Sequence, residues 1–314
     1  MSMTALRAAR VFDGTSLVTP PTVVLDGGRV VAAGVDVPDA ADLGDVTVLP
    51  GMVDVHVHLA FDAGPDPVGT LAARSPAEVR EAMTDAGRRQ VSAGVTTVRD
   101  LGDLDYMSLS LRGHPDLPTI VAAGPPVTTL GGHCHFLGGA VQPGEAAIRA
   151  AVRERAERGC DVVKVMASGG TMTRGSAQHI PQFAVAELRA AVDEAHRHGL
   201  PVVAHAHATE GIVAALEAGV DGLEHVSFWT VDGVDDRPDL IDLIAARRVP
   251  VGASIGARPM SDADRQAAGA NRSLAVEVLA RAPKIMAAYA RLVEAGAVVV
   301  AGTDAGIGPR KPHP

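Results

Sequence analysis

Hydrophobic and polar positions divide the chain into two regions with different rhythms. In residues 5–50 the apolar runs are short and are broken by Asp-Gly and Gly-Gly pairs, a pattern typical of strands joined by tight turns. From residue 51 onwards, apolar runs alternate with stretches of helical periodicity, which indicates βαβ units and a parallel sheet. The sequence therefore predicts a small antiparallel region over residues 1–50 and an α/β region over residues 51–314.

The α/β region contains eight apolar runs of strand length, and helical patterns separate most of them. The predicted strands are residues 52–58, 95–101, 119–124, 161–167, 201–206, 222–227, 249–254 and 297–303. The predicted helices are residues 76–93, 144–158, 184–198, 209–218, 238–247 and about 271–295. Ser75 is a predicted helix N-cap, and Gly159 and Gly219 are predicted helix ends. Eight alternating strands predict a (β/α)8 TIM-like barrel.

After the eighth predicted strand the sequence continues only as AGIGPRKPHP. A barrel of this kind normally covers each strand with a helix. We therefore expect a barrel that is truncated after strand eight, or one in which another element takes the place of the last helix.

Composition narrows the classes of function. The net charge of -9 without a basic cluster argues against a nucleic-acid partner. No apolar run reaches the roughly 18 residues of a membrane span, and the N-terminus lacks the apolar core of a signal peptide. Two cysteines do not make a disulfide framework. We expect a cytoplasmic protein with no membrane partner.

Polar residues stand at the C-terminal ends of five predicted strands. In a barrel these ends converge on one mouth, and strand alternation places His56 and His58 on the same face. Imidazole and carboxylate groups suit a divalent metal of the zinc type, with an open position for water. The candidate ligands, in strand order, are His56, His58, Lys164, His205, His225 and Asp304.

Lys164 interrupts an apolar strand, DVVKVMASGG, in a chain with three lysines and 25 arginines. A lysine cannot bind a metal while it is charged. Burial near cations lowers the pKa of the amine, and the neutral amine can take up carbon dioxide to become a carbamate that bridges two metals. Arginine is always charged and cannot do this. Lysine at this position therefore has a chemical explanation.

Each candidate alone has a plainer explanation. A His-x-His pair in an apolar strand is more often a pair of core histidines, and Lys164 could extend its amine to solvent. His225 could be a hydrogen-bonded core residue, and Asp304 could belong to a turn. Their joint occurrence at equivalent strand ends favours the metal site over these separate explanations.

The same residues carry a resemblance to the metal-dependent amidohydrolase superfamily, over almost the whole chain. Within it the sequence most resembles the imidazolonepropionase-like and Xaa-Pro or Xaa-Arg dipeptidase group, in which GGH after strand three and SGG after strand four recur. The motifs that carry the resemblance are LPGMVDVHVHL, VVKVMASGG, VVAHAHATEG, GLEHVSF and VVVAGTDAG.

The resemblance implies a centre of two divalent metals, with zinc as the expected ion. One ion is held by His56, His58 and Asp304, the other by His205 and His225, and a carboxylated Lys164 bridges them. The resemblance also implies that residues 1–50 form one half of a small β-sandwich, whose later strands this sequence lacks. Family members are often homo-oligomers, which the sequence itself neither shows nor excludes.

The expected reaction follows from this chemistry. Two metals that share a hydroxide supply a nucleophile at neutral pH, and Asp304 can accept its proton and pass it to the leaving amine. We expect hydrolysis of a C–N amide bond in an N-acyl amino acid or a dipeptide-like substrate. Cyclic amides, lactones or other esters are alternative substrates. Heterocycle deamination is a further alternative, against which a bridging lysine argues, and an inactive truncated barrel is the non-enzymatic one.

Loop residues are weaker candidates. His133, in the loop LGGHCHFLGG, is a candidate donor to the tetrahedral oxyanion, and His135 is the competing choice. A carboxylate on the substrate calls for a basic or hydroxyl-bearing partner. The remaining candidates for substrate contact, each with a plain structural role as the equal alternative, are His207, Arg174, His179 and Tyr106.

Overall fold

The computed structural model describes residues 3–254 and 272–314, without the side chains of residues 272–279. The first residue of the helix predicted at about 271–295 lies outside the described residues. The chain divides into two compact units, Met1–Met52 and Val53–Pro314.

The first unit contains six short described strands: β1 (Thr4–Arg7), β2 (Arg10–Val11), β3 (Thr22–Asp26), β4 (Arg29–Ala33), β5 (Ala41–Asp42) and β6 (Thr47–Val48). The larger sheet has the order β4-β3-β1-β5, and β1 and β4 both pair antiparallel with β3. β5 joins β1 in parallel, and β2 pairs in parallel with β6. Ala8, Val11 and Val23 form a small buried core. The predicted antiparallel pairing is therefore confirmed for the three longest strands only.

From residue 52, helices and strands alternate along the described chain. The strands are β7 (Met52–Val57), β8 (Val95–Asp100), β9 (Thr119–Ala122), β10 (Thr128–Thr129), β11 (Ala140–Val141), β12 (Val163–Met166), β13 (Val202–Ala208), β14 (Gly222–Thr230), β15 (Gly233–Val234), β16 (Val251–Ala253) and β17 (Val299–Ala301). The helices are α1 (Pro67–Ala73), α2 (Pro76–Ser92), α3 (Glu145–Arg158), α4 (Val185–Arg197), α5 (Thr209–Ala218), α6 (Pro238–Arg247) and α7 (Arg272–Glu294).

The eight predicted strands are all present, as β7, β8, β9, β12, β13, β14, β16 and β17. They lie in two sheets, one of order β7-β8-β9 and one that runs β12-β13-β14-β16-β17 with parallel pairing between these neighbours. The short β15 adds to β14 in the antiparallel direction. Two isolated parallel bridges lie at the sheet margins, Val57 with Ala305 and Val127 with Val165. The predicted α/β class with parallel sheets is confirmed.

Local sequence signals set the helix ends. At the start of α2, the Ser75 hydroxyl accepts a hydrogen bond from the Glu78 backbone N–H, and the Glu78 carboxylate accepts one from the Ser75 backbone N–H. This reciprocal pair is the capping box, and it confirms the predicted N-cap. α3 and α5 end at Gly159 and Gly219, both in the left-handed conformation that glycine adopts without steric cost. No described helix has both the length and the apolar character needed to cross a membrane.

Strand β12 is buried along its whole length, Lys164 included. Neighbouring strands place polar side chains beside its C-terminal end, because parallel strands present their C-terminal ends at the same edge of a sheet. The fold thus brings the predicted ligands to one place.

Candidate metal centre

A cavity of about 40 Å³ lies at the C-terminal ends of the strands, room for roughly three water molecules. Its apolar lining comes from Cys134, Met166, Met172 and Ile307. Its histidine, lysine and aspartate lining comes from His56, His58, His133, Lys164, His205, His207, His225 and Asp304. All six residues predicted as ligands from the sequence therefore meet in one cavity.

His56, His58 and Asp304 form the first group of potential ligands, here called cluster 1. Asp304 Oδ1 lies 3.5 Å from Nε2 of His56 and 3.4 Å from Nε2 of His58. The other ring nitrogens have partners of their own: His56 Nδ1 donates to Glu224 Oε2 at 2.8 Å, and His58 Nδ1 to the Gly102 carbonyl at 3.0 Å. Because these partners only accept, each neutral ring carries its proton on Nδ1 and keeps a lone pair on Nε2.

His205, His207 and His225 form the second group, cluster 2. His205 Nε2 donates to the Gly169 carbonyl at 3.1 Å, which leaves the lone pair on Nδ1. Nδ1 of His207 and Nδ1 of His225 each lie 2.6 Å from a serine hydroxyl, on Ser227 and Ser254 respectively. The ring centroids of His56 and His225 are 5.1 Å apart, so the two clusters are immediate neighbours.

Burial lowers the pKa of four of these histidines. It lowers the pKa of His56 to about 4 and that of His207 to about 3. It also holds the pKa values of His205 and His225 well below the usual range. Imidazole binds metals in its neutral form, so these rings are ready to bind a cation at neutral pH.

Lys164 is 1% exposed, and its Nζ has no hydrogen-bond partner among the described residues. Burial lowers the pKa of this amine to about 8, so a sizeable neutral fraction is present near pH 7.5 to 8. An unpartnered buried polar atom costs about 1–3 kcal/mol. The site therefore contains a reactive amine and two sets of lone pairs in one cavity, which fits a metal centre.

Two of the ligand candidates have a left-handed backbone, with φ of 58° at Asp304 and 72° at His225. Such values cost energy for residues other than glycine and concentrate at functional sites. Asp304 is also paired with Lys311, whose Nζ lies 3.0 Å from Oδ2 and donates to the Ser254 carbonyl at 2.8 Å. Burial alone would raise the pKa of Asp304, but Lys311 and the two imidazoles lower it well below its usual value.

Lys311 and Glu224 were not predicted from the sequence. Lys311 follows the last strand. Its role becomes clear only in the structure, where the C-terminal segment folds back and places Nζ beside the Asp304 carboxylate. Glu224 precedes His225 directly, so strand alternation assigns it to the opposite face. Its one sequence signal is the same as that of Lys164, a charge inside an apolar strand. Burial alone would raise the pKa of Glu224, but the charges and hydrogen bonds around it lower that pKa.

His133 lies at the cavity, with its ring centroid 4.7 Å from that of His205. Its Nδ1 is 3.3 Å from the Thr173 hydroxyl, which accepts the Cys134 backbone N–H. Gly170 permits this placement, because a Cβ there would lie 2.3 Å from His133 Nε2. His133 is thus held between two loops, beside the candidate ligands that line the cavity.

The other predicted loop residues lie elsewhere. His135 and Arg174 are exposed and His179 is half-buried, and none of these three lines the cavity. Tyr106 lines a separate cavity with Arg158, whose guanidinium lies 5.0 Å from the centre of the tyrosine ring. Their roles in substrate binding stay predictions, and the described geometry gives them no contact with the metal centre.

Comparison with known families decides the class of the protein. Residues 47–310 match the amidohydrolase family, most of the chain including both clusters. The chain belongs to the amidohydrolase family. This family is metal-dependent, in agreement with the lone pairs that the clusters present.

Individual relatives of this amidohydrolase are hydrolases where their function is known. It is 46% identical to ochratoxinase of Aspergillus niger over 88 residues, 28% of this chain and 18% of that protein. It is 30% identical to an uncharacterized protein of Mycobacterium tuberculosis over 261 residues, 82% of this chain and 64% of that protein. The match thus spans less than two thirds of either curated relative.

Solved structures agree with this assignment. The fold matches a Xaa-Pro dipeptidase, crystallised with methionine in its active site, with a TM-score of 0.80 at 26% identity. The match covers 99% of this chain and 82% of that one. The parallel sheets are consistent with the TIM-like barrel of such neighbours.

Proposed function

We propose that this amidohydrolase hydrolyses a C–N amide bond in an N-acyl amino acid or a dipeptide-like small molecule, at a centre of two zinc ions. The observation that carries the proposal is the unpartnered Nζ of Lys164, which lies in the same cavity as the two ligand clusters. A one-metal deaminase has no use for such an amine, whereas a two-metal centre needs a bridging ligand.

The arrangement of the strands supports this centre. The bridges at Val57–Ala305 and Val127–Val165 join the margins of the two parallel sheets. We infer from them one closed eight-stranded barrel, in which ligands from β7 and β14 face the same mouth.

Cluster 1 would hold one ion through His56, His58 and Asp304, and His205 and His225 would hold the other. Lys164 would bridge them as a carbamate: its neutral amine attacks carbon dioxide, an N–C bond forms, and one proton leaves. Nitrogen and oxygen ligands of this kind suit zinc. When bound, two such ions polarise the scissile carbonyl and lower the pKa of a water molecule.

The residues of the chain would perform the proton transfers. Asp304 would accept the proton of the attacking water and return it to the leaving nitrogen, because a carboxylate held at the reaction centre serves both steps. His133 would donate from Nε2 to the oxygen of the tetrahedral intermediate. The Thr173 hydroxyl supports this role, because a hydrogen bond from it to Nδ1 leaves the ring proton on Nε2.

The cavity lining and the relatives both support the proposed substrate class. Met166, Met172 and Ile307 offer an apolar wall beside the clusters, which suits an uncharged acyl group or an apolar side chain. His207 lines the same cavity and would contact the substrate. The dipeptidase relative suggests Xaa-Pro dipeptides as a second set of test compounds.

The proposal is tested with zinc-loaded protein, by metal analysis and by turnover of N-acyl amino acids, Xaa-Pro dipeptides, lactones and cyclic amides. We expect two zinc ions per chain and amide turnover. Lys164→Ala should lose both, and formate or acetate should partly restore them by replacing the carbamate oxygens. Lys284→Ala, an exposed lysine on α7, is the matched control. Full zinc content and rate in Lys164→Ala would refute the bridge.

A further inference from the structure

The Glu224 carboxylate lies behind the metal centre, 1% exposed, with a partner for each oxygen. Oε2 accepts from His56 Nδ1 at 2.8 Å, and Oε1 accepts from Arg99 Nη2 at 2.7 Å. Arg99 is fixed in turn, because its Nε donates to the Val55 carbonyl at 2.7 Å. A buried carboxylate with charge-assisted bonds at both oxygens is held in one orientation.

A glycine on the neighbouring strand β16 leaves room for the Glu224 carboxylate. Glu224 on β14 pairs with Gly252 on β16. A Cβ on Gly252 would lie 1.9 Å from Oε2, so any other residue displaces the carboxylate. Gly222, on the same strand as Glu224, has no such neighbour, because the nearest atom to its Cβ would be Val203 Cγ1 at 3.4 Å.

We infer that Glu224 is a positioning residue that presets His56 as a metal ligand. As a pure acceptor it holds the proton of His56 on Nδ1, so that the Nε2 lone pair faces His58 and Asp304 before an ion arrives. Without Glu224, the ring can exchange its tautomer and rotate. Glu224 contacts neither substrate nor metal in this arrangement, and the inference rests on the proposed metal centre.

Glu224→Gln is the first test, because an amide can accept from only one of the two donors and must turn its own N–H toward the other. Zinc affinity is measured by competition with a chromophoric chelator, and the His56 tautomer by nitrogen-15 NMR of the metal-free protein. We expect a dissociation constant for zinc about 10- to 100-fold higher, and a mixture of tautomers in place of the Nδ1–H form. At saturating zinc most of the turnover should return.

Gly252→Ala is the second test and reaches the same carboxylate without altering it. It should weaken zinc binding in the same direction as Glu224→Gln, whereas Gly222→Ala, the matched control, should not. Thermal melting shows whether each variant folds. Unchanged zinc affinity and an unchanged His56 tautomer in the folded variants would overturn the inference.

The two proposals fail in different ways. If the wild-type chain binds no zinc, the proposed metal centre is wrong, and the tautomer measurement on metal-free protein still decides whether Glu224 sets the ring. If the wild-type chain binds zinc and the variants match it, the metal centre stands and the role of Glu224 is wrong.

Discussion

Two cationic side chains lie in the interior of the larger unit, each 1% exposed: Arg155 on α3 and Lys164 on β12. Arg155 is fully engaged, since Nε and Nη2 donate to the Pro125 carbonyl at 2.9 and 2.5 Å and Nη1 donates to the Ala151 carbonyl at 2.7 Å. Lys164 has no hydrogen-bond partner among the described residues. A buried cation in which every nitrogen has a hydrogen-bond partner is a structural element, whereas one without partners is kept for chemistry.

Replacing each cation by methionine separates these two cases most clearly. Lys164→Met should lower turnover by more than about 100-fold. Loss of a residue that only hydrogen-bonds a metal ligand costs about 10- to 100-fold, and Lys164 is proposed as a ligand itself. The metal-free variant should be as stable as the wild type or more stable, because an apolar group of similar shape replaces an unsatisfied one. Steady-state kinetics and urea denaturation measure the two effects. Lys284→Met on α7 is the control, and full turnover in Lys164→Met contradicts the assignment.

Arg155→Met should show the opposite behaviour. The variant leaves the buried Pro125 carbonyl without a donor, so the free energy of unfolding should fall by about 1–3 kcal/mol. Turnover per folded molecule should stay at the wild-type level, because Arg155 does not line the metal cavity. Urea denaturation and kinetics on the same preparation provide the check. A loss of turnover without a loss of stability would contradict the purely structural role of Arg155.

The hydroxyls of Ser227 and Ser254 contact two histidines of cluster 2. Removing one of them tests whether such hydrogen bonds strengthen metal binding. Ser254→Ala removes the hydroxyl that lies 2.6 Å from His225 Nδ1, but keeps the backbone carbonyl that Lys311 contacts. Zinc affinity should fall about 10-fold, the low end for such partners. Chelator competition measures it, with the exposed Ser92→Ala as control. An affinity equal to the wild type shows that the imidazole is held by its packing alone.

Much of the fold could be predicted from the sequence because each strand of the larger unit is a local apolar run. The strand at 161–167 and the helix at 209–218 need no information from distant residues. The short strands β10 and β11 were missed, since two residues carry no periodicity. The left-handed backbone at His225 was missed as well, because a histidine inside an apolar run gives no local signal for a positive φ.

The ligand positions could be predicted because the ligands lie at or near the C-terminal ends of predicted strands. His56 and Asp304 are far apart in sequence, yet both lie at the ends of predicted strands, so the barrel expected from the sequence predicts that they meet. Loop residues have no such rule: Tyr106 and Arg174 lie away from the cavity because loop paths depend on packing. The contact of Lys311 with Asp304 could not be predicted, because no local sequence pattern indicates that the C-terminal segment folds back to the site.

The last prediction concerns the pH dependence of stability, at a buried carboxylate whose charge acts on Arg155. Burial, together with the charge of Asp100, raises the pKa of Asp103 to about 7. The unfolded chain then binds fewer protons than the folded one between about pH 4 and 7, so this group makes the free energy of unfolding fall as pH rises through that window. Asp103→Asn removes this dependence. Urea denaturation at pH 5 and pH 8 should show the variant gaining stability relative to the wild type at the higher pH. A difference that does not change with pH assigns the sensitivity to another group, because the guanidinium of Arg155 keeps its charge throughout.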